Sequence, residues 1–319
     1  GCEISPAQQI DLFARLAYCN PTAAWIGFNY SGVAGMIGAC FSDAGIDTIF
    51  QDGKAPLIAA VSAPTGKVTQ AVGGYTLSGY WRYASGATCA DYVFLMAICD
   101  NPTGPLGMLV PVNQVELIDD WHVAALQGTG SLDVKVDDLF VPKKMTGSPL
   151  NQLRGGSQFF RMGYRGYVGG ENFGFTLGVA QRLVDETARL AKTKKRVLEP
   201  TPIGDRGAFR QTLARTDAAL RASRAYLMSE LDRAEQICDS NQQALSMQDR
   251  AQIDAAISYA TETTIQACTQ LVPYAGAGAL HLDHPIQRAL RDVIGSGQHL
   301  VATSESLDHW GSALLQAAD

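Results

Sequence analysis

The spacing of apolar residues divides the chain into helical ends and a middle of strands. Leu12 and Leu16 lie one helical turn apart, after the capping-box sequence Ser-Pro-Ala-Gln at 5–8 with proline at the first helical position. An apolar segment rich in glycine and alanine follows from 23 to 41. Residues 5–50 are therefore predicted to be helical.

The pattern changes to that of strands between 56 and 142. Short apolar runs alternate there with turn sequences such as the Asn-Pro-Thr-Gly at 101–104. Residues 131–141 open with strict alternation, with Leu132, Val134 and Val136 on one face. This pattern predicts a β-domain, either a sandwich or a barrel-like sheet.

The segment 73–91 is the most informative of these strands. Tyr75, Leu77, Trp81 and Tyr83 fall on one face at period two, and Ser85-Gly86 makes a polar turn after them. An aromatic strand face that ends in such a corner can hold a flat heteroaromatic ring. Ordinary sheet core is the structural alternative.

Helical spacing returns from about residue 170 to the end of the chain. Ser246 with Asp249 resembles a capping box before one of the helices. The count of long helices is typical of an antiparallel bundle. The four predicted helices involve 173–191, 209–238, 253–271 and 286–315. The predicted regions are an N-terminal helical region at 1–52, a central β-domain at 53–145 and a C-terminal four-helix bundle at 146–319.

Composition narrows the range of partners. The formal net charge is −6 without a long basic run, so nucleic acid and anionic membrane are excluded as expected partners. The seven cysteines contain no Cys-x-x-Cys pair, which favours a reduced, cytoplasmic protein over a disulfide scaffold. His281 and His284 have a spacing that invites a metal, but no further ligand set lies near them, so no metal site is predicted.

Short sequences along the chain carry a family resemblance. Helices, a β-domain and a four-helix bundle follow one another in the order of the acyl-CoA dehydrogenase fold. The chain resembles the flavin-dependent monooxygenase branch of that superfamily, which includes the oxygenase components of hydroxyphenylacetate, seco-steroid and dibenzothiophene monooxygenases. The matching pieces are Ala-Ala-Trp at 23–25, 73–86, Gly-Thr-Gly-Ser at 128–131, Val-Pro at 141–142, Gly-Val-Ala at 178–180, Gly-Ala-Gly at 276–278, Pro-Ile-Gln-Arg at 285–288, Arg291-Asp292 and His299.

The resemblance implies the reaction and its requirements. It implies reduced FAD or FMN delivered by a separate reductase, O2 as co-substrate, a small apolar or aromatic substrate, and a homotetramer. Oxygenated reduced flavin would then transfer an oxygen atom. The cofactor-binding residues implied are Trp81, Ser85, Gly86, Thr129, Gly130, Ser131, Gly276 and Gly278.

Two catalytic residues are implied. His299 matches the motif histidine of the family, and we expect it on the last helix as a base or as a hydrogen-bond donor to the peroxide. Ser85 is expected to contact flavin or peroxide. The structural alternatives are a histidine on the bundle surface and a tight turn between strands.

The chain also departs from the family pattern. Hydroxylases of the branch commonly carry histidines where this chain has Val33-Ala34 and Cys89. Oxidation at nitrogen or sulfur therefore stays open. An acyl-CoA dehydrogenase-like oxidoreductase is one alternative, although no glutamate matches that family's base, and a non-catalytic subunit of the same fold is another. A further helical segment is expected ahead of residue 1.

Overall fold

Eight helices and seven strands make up the part of the chain that the computed structural model describes, which is residues 4–100, 103–155, 161–241 and 244–318. The expected Asn-Pro at 101–102 lies outside the described residues. The helices are α1 (Pro6–Cys19), α2 (Pro21–Cys40), α3 (Asp43–Ile49), α4 (Tyr164–Ala191), α5 (Gly207–Asn241), α6 (Met247–Ala275), α7 (Pro285–Ser296) and α8 (Glu305–Gln316). The strands are β1 (Ile58–Ala71), β2 (Gly74–Ala84), β3 (Tyr92–Asp100), β4 (Thr103–Pro111), β5 (Glu116–Ile118), β6 (Leu132–Pro142) and β7 (Thr146–Gly147).

The described chain forms two compact units. One contains residues 25–123 and 127–155, and the other contains 4–24, 124–126 and 161–318. The first, here the sheet unit, therefore takes most of α2 and all of α3 with the strands. The second, the helical unit, takes α1 with the bundle helices. This division differs from the predicted regions, which grouped the first three helices together.

The strands of the sheet unit form one mixed sheet in the order β5-β6-β2-β1-β3-β4-β7. Strands β1 and β3 pair in parallel, from Ile58 opposite Tyr92 onward, and the other paired strands are antiparallel. The predicted order of N-terminal helices, central β-domain and helical C-terminal region is confirmed. Within it, the β-domain of the described residues is a single hydrogen-bonded sheet.

The core of the sheet unit lies between its helices and strands. Ile37 and Phe41 of α2 and the adjoining loop pack with Leu77, Trp81 and Phe94, and all five side chains are almost fully buried. Helix α2 has apolar residues all round, as expected for a helix buried on more than one side. The core therefore fixes the position of α2 against the end of β2.

The helical unit is built on three long helices with α1 packed against one of them. Helix α4 approaches α1 closely at Gly174 and Gly178, where an added Cβ would lie 2.7 Å from the Ile10 carbonyl oxygen and 2.2 Å from that of Ala14. The Gly-Val-Ala sequence at 178–180 thus has a packing role in this chain. The predicted caps are present, since Ser5 and Ser246 each accept a hydrogen bond at a helix N-terminus.

The prediction of one continuous helix over 286–315 was wrong. Helix α7 ends at Ser296, residues 300–302 form a short 3₁₀ turn, and α8 begins at Glu305. Gly295 meets the side chains of Ala125 and Leu126, and a Cβ there would lie 2.9 Å from the Ala125 Cβ. The chain turns away after this contact. None of the helices in the described ranges combines the length and apolar character needed to cross a bilayer.

Candidate active site

The end of β2 forms a polar corner with the turn that precedes β6. Gly86 follows β2 with a φ of +79°, which a residue with a side chain rarely adopts. An added Cβ would lie 2.6 Å from the Tyr30 hydroxyl oxygen, and that hydroxyl donates to the Gly86 carbonyl at 2.6 Å. Helix α2 therefore closes the corner from behind, and only glycine fits.

A chain of buried hydroxyls joins the two turns of this corner, and we call it the hydroxyl ladder. The Trp25 indole N–H donates to Ser85 Oγ at 3.1 Å, Ser85 Oγ lies 2.8 Å from Ser131 Oγ, and Ser131 Oγ lies 2.6 Å from Thr129 Oγ1. The backbone N–H of Gly86 also donates to the Thr129 carbonyl at 2.8 Å. The ladder brings together the predicted turns at Ser85 and Thr129–Ser131 and adds Trp25, whose motif had no assigned contact.

The ladder hydroxyls are structural groups first. Ser85, Thr129 and Ser131 are at most 9% exposed, and their oxygens bond to one another. Buried hydroxyls are costly unless they are paired, so the ladder fixes the relative position of the two turns. Gly130, with a φ of +50°, then carries the backbone back into β6.

Trp81, expected beside the cofactor, lies in the core of the sheet unit. Its side chain is 0% exposed, its indole N–H donates to the Met96 carbonyl at 2.7 Å, and its ring lies over Gly66 and Gly79. The expected single aromatic face ends there, because the pairing of β2 with β6 shifts between Trp81 and Ala84.

The same shift turns Tyr83 out of the core. Tyr83 is 52% exposed and packs on Trp121, with ring centroids 5.4 Å apart. Thr88 and Cys89, in the loop after β2, and His122, in the loop that contains Trp121, are also exposed. The sequence carried no sign of this pair, because period-two alternation places Tyr83 with Trp81.

A buried carboxylate anchors the outer edge of the corner. Asp133, 1% exposed at its side chain, accepts from the Arg82 Nε at 3.0 Å and from the Tyr80 hydroxyl. The hydrogen bond to Asp133 raises the pKa of Tyr80, and the hydrogen bond with Tyr80 raises that of Arg82. Arg82 thus stays cationic and half-exposed next to the aromatic pair.

His299 lies in the helical unit, in the segment between α7 and α8 rather than on the last helix. It is half-buried, and its Nδ1 accepts from the backbone N–H of Val301 at 3.4 Å. Desolvation lowers its pKa to about 4. A ring with this pKa is a weaker base than an ordinary histidine. At neutral pH the ring is uncharged, and with Nδ1 accepting, Nε2 carries the proton.

Two side chains of the helical unit hold the segment that follows His299. Ser258 of α6 donates to the Thr303 carbonyl at 2.9 Å. Arg165 of α4 donates to Ser306 Oγ at 2.9 Å and to Thr303 Oγ1 at 3.4 Å. Sequence reasoning found neither residue, since a lone arginine or serine on a long helix carries no local signal.

The remaining predicted positions are local features of the helical unit. Gly276 ends α6 with a φ of +66°, and Gly278 has open space where a Cβ would be. Gly276 lines an apolar cleft of about 350 Å³ together with Val272, Pro273 and Leu280. His284 caps α7 through its Nδ1, and the described residues contain no group of three or more candidate metal ligands.

The corner has the chemistry that a flavin requires. An isoalloxazine ring needs an aromatic or apolar surface and hydrogen-bonding groups at its polar edge. The exposed Tyr83–Trp121 pair supplies the first, while Arg82 and the Thr88 hydroxyl supply cationic and neutral donors. The residues present therefore fit the cofactor, and Tyr83 offers an exposed aromatic ring where Trp81 is buried.

The comparisons with known proteins agree with this description. Residues 173–304 match the family model "Acyl-CoA dehydrogenase, C-terminal domain". The chain is 25% identical over 305 residues to a pigment production hydroxylase of Rhodococcus sp., covering 92% of this chain and 78% of that protein. It is also 25% identical over 321 residues to the oxygenase component of an FADH2-dependent resorcinol hydroxylase of Rhizobium sp., covering 90% and 77%.

The fold is also that of a solved structure. XiaF from Streptomyces sp., determined in complex with FADH2 and glycerol, superposes with a TM-score of 0.89 at 22% identity and covers 99% of this chain and 83% of that one. The C-terminal part of the chain, residues 173–304, is thus similar to the acyl-CoA dehydrogenase C-terminal domain. Over most of its length the chain is similar to hydroxylases that include the oxygenase component of a flavin-dependent system, and the resemblance expected from the sequence is confirmed.

Proposed function

We propose that this chain is the oxygenase component of a flavin-dependent monooxygenase that hydroxylates or oxidises a small aromatic or apolar molecule. The observation that carries the proposal is its similarity to hydroxylase oxygenase components over 90% or more of its length. The corner of the sheet unit supports it with groups suited to a flavin.

Reduced flavin, when bound, activates O2 and supplies the oxygen atom for transfer. In the proposal, the Tyr83–Trp121 pair contacts the ring, and Arg82 and Thr88 contact polar groups of the cofactor. The turns at Ser85-Gly86 and Thr129–Ser131 keep these groups in place through the hydroxyl ladder. Ser85 thus acts through position more than through its own proton, because its oxygen already has two partners.

His299 would donate a hydrogen bond from Nε2 to an oxygen of the substrate or of the bound oxygen species. A pKa of about 4 makes the ring a weak base at neutral pH, so the proposal assigns it the role of a neutral hydrogen-bond donor. The missing family histidines at Val33-Ala34 and Cys89 agree with a substrate that needs no deprotonation.

The proposal includes a separate flavin reductase, a homotetramer and a cytoplasmic location. Leu280 and Leu282, each at least 70% exposed, give the helical unit apolar surface next to α7 for contact with another copy. The six cysteines of the described residues are free thiols, which agrees with a reducing compartment.

The test separates flavin binding from oxygen transfer. Anaerobic titration with FADH2 and with FMNH2, followed by calorimetry, measures binding without turnover. Addition of ¹⁸O2 with candidate phenols and indoles then measures whether one labelled atom enters product. Absence of reduced-flavin binding would refute the proposal. Binding with flavin reoxidation but no labelled product from any candidate would favour an oxidase or a dehydrogenase.

A further inference from the structure

A cleft in the helical unit is lined by none of the site residues predicted from the sequence. It runs between the N-terminal half of α6 and α8 and has a volume of about 760 Å³. That volume falls in the range of roughly 300–1,000 Å³ typical of small-molecule sites. The polar side chains that line it are Gln248, Arg250, Asp254, His309, Ser312 and Gln316.

Asp254 is the unusual group in this cleft. Its side chain is half-buried, and in the ranges the structure describes it takes part in no hydrogen bond or ion pair. Arg250 precedes it by one helical turn on α6 and donates to the Arg161 carbonyl oxygen at 3.5 Å. Desolvation raises the pKa of Asp254 to about 6. A half-buried carboxyl group without a hydrogen bond costs folding free energy. The cleft allows a ligand to reach Asp254 and supply that hydrogen bond.

Positive charge surrounds Asp254 from three elements. Arg250 lies on its own helix, Arg165 comes from α4 and His309 from α8, and each lowers the pKa of Asp254 against the larger effect of burial. Two guanidinium charges act on one carboxylate, so the cluster is cationic at neutral pH. A complementary ligand would bring a negative charge together with a hydrogen-bond donor for Asp254.

We propose that this cleft binds a small organic acid whose carboxylate faces Arg250 and whose hydroxyl or N–H group donates a hydrogen bond to Asp254. Guanidinium groups bind carboxylates through paired N–H donors, and a carboxylate acceptor strengthens the second hydrogen bond. The cleft is lined by residues of the helical unit alone. The proposal therefore does not depend on flavin chemistry.

Calorimetry on the complete chain without flavin tests the proposal at pH 7.5. The probes are 4-hydroxybenzoate, 4-methoxybenzoate, which lacks the donor, phenol, which lacks the carboxylate, and the longer 3-(4-hydroxyphenyl)propanoate. We expect a hydroxylated acid to bind, and removal of either group to weaken binding by about tenfold or more. Asp254→Asn should remove most of the difference between 4-hydroxybenzoate and 4-methoxybenzoate.

Matched variants keep the test interpretable. Glu262→Gln, two turns further along α6, removes a carboxylate outside the cleft and should leave binding unchanged. Ala313→Phe fills the cleft from α8 and should abolish binding, while circular dichroism verifies the fold of each variant. The proposal is overturned if neither hydroxylated acid binds at millimolar concentration, or if Asp254→Asn and Ala313→Phe bind as the wild type does. These binding measurements do not depend on oxygenase activity. They therefore test the cleft even if the proposed monooxygenase function is wrong.

Discussion

At the scale of single residues, the environment of a side chain decides its chemistry more than its type does. His299 and Asp254 show this in opposite directions, since burial lowers the pKa of the first to about 4 and raises that of the second to about 6. In each case burial disfavours the charged form of the side chain. The pH dependence of stability follows from these shifts.

His299 should make the protein sensitive to acid. Its folded pKa lies below the unfolded value near 6.5, so its contribution to stability is present above pH 6.5 and is lost as pH falls toward 4. The full effect is on the order of 3 kcal/mol. Urea unfolding of wild type and His299→Gln between pH 4 and 8 measures it, and the variant should lose less stability on acidification. An equal pH slope in both proteins would contradict the pKa assignment.

Asp254 should have the reverse effect. Its folded pKa lies above the unfolded value of 3.8, so its relative stabilisation is complete below pH 3.8 and lost as pH rises through about 6. Asp254→Asn should therefore stabilise the protein by about 1–3 kcal/mol at pH 8 and by little at pH 4. The same unfolding series measures this, with Asp217→Asn on α5 as control.

The catalytic prediction for His299 also belongs at this scale. His299→Ala should lower oxygen transfer while leaving reduced-flavin binding nearly unchanged, as measured by labelled product and by anaerobic calorimetry. The wild-type rate should show no inflection from this residue between pH 6 and 8, since the ring is neutral throughout. A loss of flavin binding in the variant would identify a structural residue instead.

At the scale of elements, close backbone approach explains glycines that composition alone leaves ambiguous. Gly86→Ala should destabilise the sheet unit by about 2–4 kcal/mol, from backbone strain and the contact with Tyr30. Gly73 is the matched control, because its φ of +80° is nearly the same but a Cβ there meets nothing within 4 Å. In thermal unfolding, Gly73→Ala should lose only the part of the stability that backbone strain costs. Equal losses of stability in the two variants would show that the contact with Tyr30 contributes nothing to the effect of Gly86→Ala.

The packing of α1 on α4 gives a second contrast. Gly178→Ala would place a Cβ 2.2 Å from the Ala14 carbonyl oxygen, so we expect a loss of about 2 kcal/mol or more. Gly311→Ala in α8 has open space and should gain up to about 1 kcal/mol from helix propensity. Chemical denaturation measures both changes, and a stabilised Gly178→Ala would refute the close approach.

Much of this element structure could be predicted because it depends on local pattern. The caps at Ser5 and Ser246 and the strand of 132–142 follow from adjacent residues alone. The break after α7 and the outward turn of Tyr83 depend on contacts with Ala125 and on a shift in strand pairing. The pKa of His299 depends on surrounding atoms from distant positions. Neither kind of information is present in a local window of sequence.

At the scale of the whole molecule, the proposed homotetramer should depend on the apolar surface beside α7. Light scattering after gel filtration should give four chains for the wild type. The double change Leu280→Glu with Leu282→Glu should lower that number, while Val72→Glu, at a fully exposed turn of the sheet, should not. A monomeric wild type would contradict this part of the proposal.

The burial of Trp81 gives the protein a built-in optical probe. Its indole is enclosed by the sheet and hydrogen-bonded to Met96, whereas Trp121 is partly open to solvent beside Tyr83. A dry indole emits at shorter wavelength than a hydrated one, and Trp25 and Trp310 add their own emission. The difference between the spectra of the wild type and Trp121→Phe isolates the emission of Trp121, and its quenching would follow occupancy of the corner in real time. The corresponding difference for Trp81→Phe would signal loss of the sheet itself.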